Sequence, residues 1–135
     1  MPATVEQAIH ARWAESPSLL ALLPVERVST GLAHGGSLPY ATITREKCRT
    51  LCRTNAGDAL DEILLRIDVW HDCYDAGRAI LDAVIAAFDR SRFGLSGESR
   101  VTRMCRSDDF ALQHGDGLWQ FSVFFSLQAY LASGV

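Results

Sequence analysis

The residues most able to do chemistry in this 135-residue chain are four cysteines, Cys48, Cys52, Cys73 and Cys105, and four histidines, His10, His34, His71 and His114. Cys48 and Cys52 form a C-x3-C pair, but no second close pair and no suitably spaced histidine completes a tetrahedral zinc set. Lone cysteines pack as small hydrophobes, so free thiols are expected rather than a disulfide framework. His71, Asp72 and Cys73 place a base, a carboxylate and a nucleophile in a row. Neighbours on an extended strand point to opposite faces, so the trio is not expected to converge as a triad. Asp108, Asp109 and Asp116 lack the spacing of a calcium loop and read as turn residues. The glycine-rich stretch at 31–39, GLAHGGSLP, has no Lys-Ser/Thr after it and precedes a strand, so it is expected to connect rather than to cradle phosphate. No catalytic residue, metal or cofactor is therefore expected.

One charged cluster stands out. Arg45, Lys47, Arg49 and Arg53 oppose a single Glu46, and Arg100, Arg103 and Arg106 follow later. The later arginines do not share one strand face, so they form no continuous stripe. The whole chain carries a net charge of −3 with a pI near 5.7, which argues against a dedicated duplex binder. Hydrophobic residues make up 48% and charged residues 21%, a globular balance that excludes disorder of the whole chain. The sequence has no apolar run long enough to span a bilayer. Its start, MPATVEQAIHARW, lacks the pattern of an export signal, so a cytosol-like site of synthesis is expected.

The elements that position these residues follow from periodicity. Residues 4–15 read as a helix with Val5, Ala8, Ile9 and Trp13 on one face. Ser16-Pro17-Ser18 breaks it, and a short helix at 18–23 offers Leu19, Leu20, Leu22 and Leu23 as an apolar lid. Strands are expected at 26–31, 39–46 and 59–70. Ile63, Leu65, Ile67 and Val69 face one way and Glu62, Arg66 and Asp68 the other. The basic segment 47–58, turning at Asn55-Ala56-Gly57, reads as the projecting tip of a long hairpin. Asp72 is expected to cap a helix over 76–88, with Gly94 as a stop. Strands at 99–110 and 118–131 flank an Asp116-Gly117 turn. In the last strand Trp119, Phe121, Val123 and Phe125 line the core face. The opposite face carries Gln120, Ser122, Phe124, Ser126 and Gln128, polar yet uncharged apart from the aromatic, which suits an interface better than open solvent. The result is one domain over 1–135, of the α+β class. Its sheet is expected to be mostly antiparallel with helices on one face, in the order α-α-β-β-β-α-β-β.

The segments SPSLLALLP, LPYATI (38–43), LLRIDVWHD (64–72), AGRAILDAVIAAF (76–88) and DGLWQFSVFFSLQAYL (116–131), in this order, resemble the small tail-completion proteins of long-tailed phages, the tail terminators. The resemblance implies a structural, non-enzymatic virion protein that works as a ring, usually a hexamer. One side of the ring would meet the tail tube protein and the other a head-completion or stopper protein, with DNA passing through the lumen. Gene transfer agents use the same component. The ring would be made in the bacterial cytoplasm and reside at the head–tail junction. A ring needs two unlike patches on one protomer. The basic hairpin (Arg45, Lys47, Arg49 and Arg53, with Leu51 as apolar anchor) and the outer face of the last strand are the candidates. The competing readings are a neck or head-completion adaptor at the same junction, a single-stranded nucleic-acid module using Trp70, Tyr74 and the basic tip, and a small Cys/His enzyme or metal protein.

Overall fold

A computed structural model describes residues 2–31 and 37–133. His34 and most of the glycine-rich stretch lie outside the described residues. The chain opens with helix α1 (Val5–Ala14). Thr4 caps it: Thr4 Oγ1 accepts from the Gln7 backbone N–H at 3.1 Å while Gln7 Oε1 accepts from the Thr4 N–H at 3.3 Å. Pro17 starts α2 (Pro17–Leu22) behind a Ser16 cap. Of the expected lid, Leu19 and Leu23 are buried, whereas Leu20 and Leu22 face solvent. The Trp13 indole N–H donates to the Leu23 carbonyl at 2.9 Å, which ties α1 to the chain leaving α2.

Six strands follow: β1 (Val28–Thr30), β2 (Tyr40–Arg53), β3 (Ala59–His71), β4 (Ser91–Gly94), β5 (Arg100–Gln113) and β6 (Trp119–Leu131), with α3 (Tyr74–Phe88) between β3 and β4. They form one sheet in the order β1-β2-β3-β6-β5-β4. The expected mostly antiparallel sheet is corrected to a mixed one, because β1 runs parallel to β2 while the other pairs are antiparallel. The element order also gains β4 and two short 3-10 turns. Gly94 does not stop α3. That helix ends at Phe88, Arg90 takes φ +63°, and the chain re-enters the sheet as β4. Nor does Asp72 cap α3: Cys73 is the N-cap residue and contributes no side-chain cap.

The phase of the two central strands is as expected. Ile63, Leu65, Ile67 and Val69 of β3 and Phe121, Val123 and Phe125 of β6 are buried, and Trp119 packs against the same core at its margin. Val5, Ile9, Trp13, Ile80, Val84 and Phe88 from the helices join them in one cluster. The opposite face of the sheet contributes no side chain to this cluster.

The basic segment is mostly strand. β2 continues to Arg53 and pairs with β3 down to Ala59, so only residues 54–58 form the turn. β3 in turn pairs with β6 along its whole length, from Ala59↔Leu131 to His71↔Trp119. The hairpin is thus built into the sheet rather than projecting as a free arm. Two register shifts, at Arg45/Lys47 and Thr50/Cys52, bend β2 where it is exposed.

Candidate functional site

Candidate contact residues fall in two places, the outer half of β2 and the sheet face that no helix covers. On β2, Arg45 is turned toward the helices. Its Nε and Nη2 bind both carboxylate oxygens of Glu6 in α1, at 3.0 and 2.7 Å, and this pairing raises the already high guanidinium pKa. Arg49 pairs with Glu62 across the strands at 2.8 Å. Lys47 and Arg53 make no ion pair among the described residues. Leu51 sits at the second register shift and is 40% exposed. The two arginines are therefore engaged within the chain, and Lys47, Leu51 and Arg53 remain available to a partner.

The uncovered face is organised around Asp68, near the end of the central strand β3 and 2% exposed. Its flanking cross-strand neighbours are Thr42 on β2 and Ser122 on β6. Ser122 donates its hydroxyl to Asp68 Oδ1, and Gln120 Nε2 donates to the same oxygen at 3.1 Å. Arg66 Nε donates to Asp68 Oδ2 at 2.8 Å, and its other end meets Glu46 at 2.7 Å. Gln120 Oε1 lies 2.9 Å from His114 Nε2, a bond that requires the proton on that nitrogen. Gln120 and Ser122 are thereby spent on an internal network, while Phe124, Ser126 and Gln128 stay half-buried and without a partner element above them.

Aromatic side chains flank this network. Tyr40 stacks on Trp70 with ring centroids 6.1 Å apart, and Trp70 lies 5.4 Å from His114. The Trp70 indole N–H is buried without a partner. Phe110 of β5 and Phe124 of β6 sit 6.2 Å apart, and Phe110 and Leu112 are both exposed. Sequence periodicity found β6's share of this face. It missed Tyr40, Phe110 and Leu112, because their placement on this face depends on the pairing of Tyr40 with Trp70 on β3, of Trp70 with Gln120 on β6, and on a register shift at Arg106/Asp108 in β5.

The cysteine and histidine chemistry is local. Cys48 lies 3.6 Å from Asp61 Oδ2, and burial followed by the Asp61 charge pushes its thiol pKa up, away from the thiolate a nucleophile needs. His71 and Asp72 do meet, contrary to the strict alternation of an extended strand, because β3 ends at His71 and the chain bends. His71 Nδ1 lies 3.0 Å from Asp72 Oδ1 and 3.0 Å from the Cys73 backbone N–H. The first contact needs a protonated Nδ1 and the second a bare one, so they alternate with the tautomer. Both serve the entry to α3.

Asp58 fastens the hairpin turn to the end of β6. Its carboxylate accepts the Ser133 backbone N–H at 2.7 Å and the Tyr130 hydroxyl at 2.8 Å. These bonds, the Ser133 one foremost, hold its pKa below the ordinary 3.8. A depressed carboxylate stabilises the fold above its unfolded pKa, and that stabilisation is lost as pH falls through the folded value. Asp58→Asn is therefore expected to melt below wild type at neutral pH, with the gap closing below about pH 4. Thermal melts from pH 7 to pH 2.5 check it, and a gap that stays constant over that range would refute it.

A family model described as Tail completion protein gp17 matches residues 7–131, from α1 to the end of β6. No curated protein sequence matches the chain. Among solved structures, a chain from a virion of a native gene transfer agent particle superposes with a TM-score of 0.76 at 15% identity, covering 93% of this chain and 94% of that one. A second solved chain superposes with a TM-score of 0.54 at 17% identity, over 98% of this chain and 99% of that one. At such identities the two structures speak for the fold.

Proposed function

The chain belongs to the tail completion protein gp17 family, and from that premise we propose that it is a structural virion protein, a tail terminator. It forms a ring, most simply a hexamer, that caps the tail tube and joins the tail to the head or neck. The particle is a phage or a phage-like particle such as a gene transfer agent. The observation that carries this reading is the family match across every helix and the whole sheet. Tail tube protein and a head-completion or stopper protein are its partners on either side, and DNA crosses the lumen without being read. A net charge of −3 favours passage over retention of a polyanion. The protein is made in the bacterial cytoplasm and performs no catalysis: the site residues are used for packing and pairing, and the Cys48 thiol is raised rather than activated.

Two unlike surfaces meet the requirement of a closed ring. One is the outer half of β2 with Lys47, Leu51 and Arg53, and the other lies on the far side of the sheet, which leaves the uncovered face with Phe124, Ser126 and Gln128 free to face the lumen. Mass measurement of the purified protein, alone and with isolated tail tubes, is expected to show a discrete ring, and particles lacking the protein should carry tails of unregulated length unjoined to heads. Normal joined particles in its absence would overturn the reading.

A further inference from the structure

The sheet leaves two stretches of strand edge unpaired, one at each side and at opposite ends. Among the described residues β1 covers β2 only at Ala41–Ile43, and none pairs with residues 44–53 on that side. β4 covers β5 only between Arg100 and Met104, and the Asp89 carboxylate takes the Arg106 backbone N–H at 2.9 Å, so residues 107–113 are open. Half the backbone groups of each stretch point away from the sheet. Long open edges are a hazard unless they are blunted or used.

The two edges are complementary. The β2 stretch offers Lys47 and Arg53, without ion-pair partners among the described residues, and Leu51 exposed. The β5 stretch offers Asp108, whose carboxylate is engaged among the described residues only by the next backbone N–H at 2.8 Å, with Phe110 and Leu112 exposed. Pairing of β2 with β2, or of β5 with β5, would oppose like charges. We infer that the open edge of β2 in one copy pairs with the open edge of β5 in a second copy of this chain, so that the sheets join head to tail around the ring. The inference rests on the ring reading above and assigns its subunit contact.

The placement of the edges supports closure. Through β3, the β2 stretch lies level with residues 124–131 of β6, whereas the β5 stretch lies level with residues 119–124. Joining them requires an offset of about six residues for every four strands, equivalent to a strand tilt of roughly 45° at ordinary strand rise and spacing, at the upper end of the range for closed sheets. Because helices occupy one face alone, they must take the wider, outer side of such a closed sheet. The face carrying Asp68, Ser126 and Gln128 then turns toward the lumen.

Charge exchange tests this. Lys47→Glu with Arg53→Glu gives a copy with two acidic edges, and Asp108→Lys with Gln113→Lys gives one with two basic edges. All four positions are exposed, so both variants should keep the wild-type far-UV spectrum and melt. Each alone is expected to need at least tenfold more protein than wild type to reach rings in native mass measurements. An equimolar mixture of the two, or all four changes in one chain, should restore rings. If wild type forms rings and either folded variant does so equally well, or mixing yields no rescue, the edge contact is wrong while the ring stands. If wild type itself stays monomeric with and without tail tubes, the ring reading falls and the edge contact with it.

Discussion

Phe121→Ala is expected to cost about 3–5 kcal/mol of folding stability, a large share of what a domain of this size holds. Phe121 is fully buried on the core face of β6. Its ring centroid lies 5.4 Å from that of Tyr74 in α3 and 6.1 Å from that of Trp119. The space it occupies is defined from the helix side by Gly77, where any Cβ would run into the Phe121 ring. A glycine there lets the helix sit down on the aromatic, so alanine at 121 removes the floor from that contact and α3 can collapse only in part. Urea titration gives the number. Phe110→Ala, on the uncovered face and 39% exposed, is the internal comparison and should change stability by less than about 1 kcal/mol. A loss below about 1 kcal/mol for Phe121→Ala would mean that α3 does not rest on this ring. Gly77→Leu should destabilise by overpacking the same contact from the other side.

That contact shows what the sequence carried. The alternation of Ile63, Leu65, Ile67 and Val69 fixes which face of β3 is buried, and the same period in β6 selects Phe121 and Phe125, so the core was legible from local pattern alone. The helical stripe of α3 was legible for the same reason. Three features were not. The strand expected at 26–31 is present as β1, but its parallel pairing with β2 leaves no signal in three residues. β4 has only four residues and follows a positive φ at Arg90 that no glycine signals. The polar run of β2 carries Arg, Lys, Thr and Cys on both faces because it lies at an edge beyond the helices, and hydrophobic alternation vanishes where neither face is buried.

The same physics limits what the sequence said of the site. Lys47, Leu51 and Arg53 were found by charge and polarity, which are local. That Arg45 is engaged by Glu6, 39 residues away, and Arg49 by Glu62 is a matter of register. The open stretch of β5 is likewise invisible until β4 is seen to begin at Ser91, opposite Met104.

Asp68→Ala is expected to cost about 3 kcal/mol, although the residue lies on the face without helices. Removing it takes the acceptor from the Ser122 hydroxyl, leaves the Gln120 amide with only the Ser122 oxygen at 3.3 Å, and frees one end of Arg66. Breaking one side of a buried charged network generally costs 3–5 kcal/mol. The lower end applies because Arg66 is partly solvated and keeps Glu46. Asp68→Asn retains an acceptor for Ser122 and loses the charge-assisted bond to Arg66, so it should cost about half as much. The pattern across Asp68→Ala, Asp68→Asn and Ser122→Ala, measured by urea titration, separates a network from a set of independent contacts. In a network the double variant Asp68→Ala with Ser122→Ala costs less than the two single losses added together, since Ser122 strands no hydroxyl once its partner is gone. Strict additivity would show that the uncovered face is held by its backbone pairing alone. A network there has a consequence for assembly. It fixes the arginine, glutamine and serine side chains of two central strands in one arrangement, so every subunit brings the same ordered face to the lumen and closing the ring need not cost the entropy of arranging it.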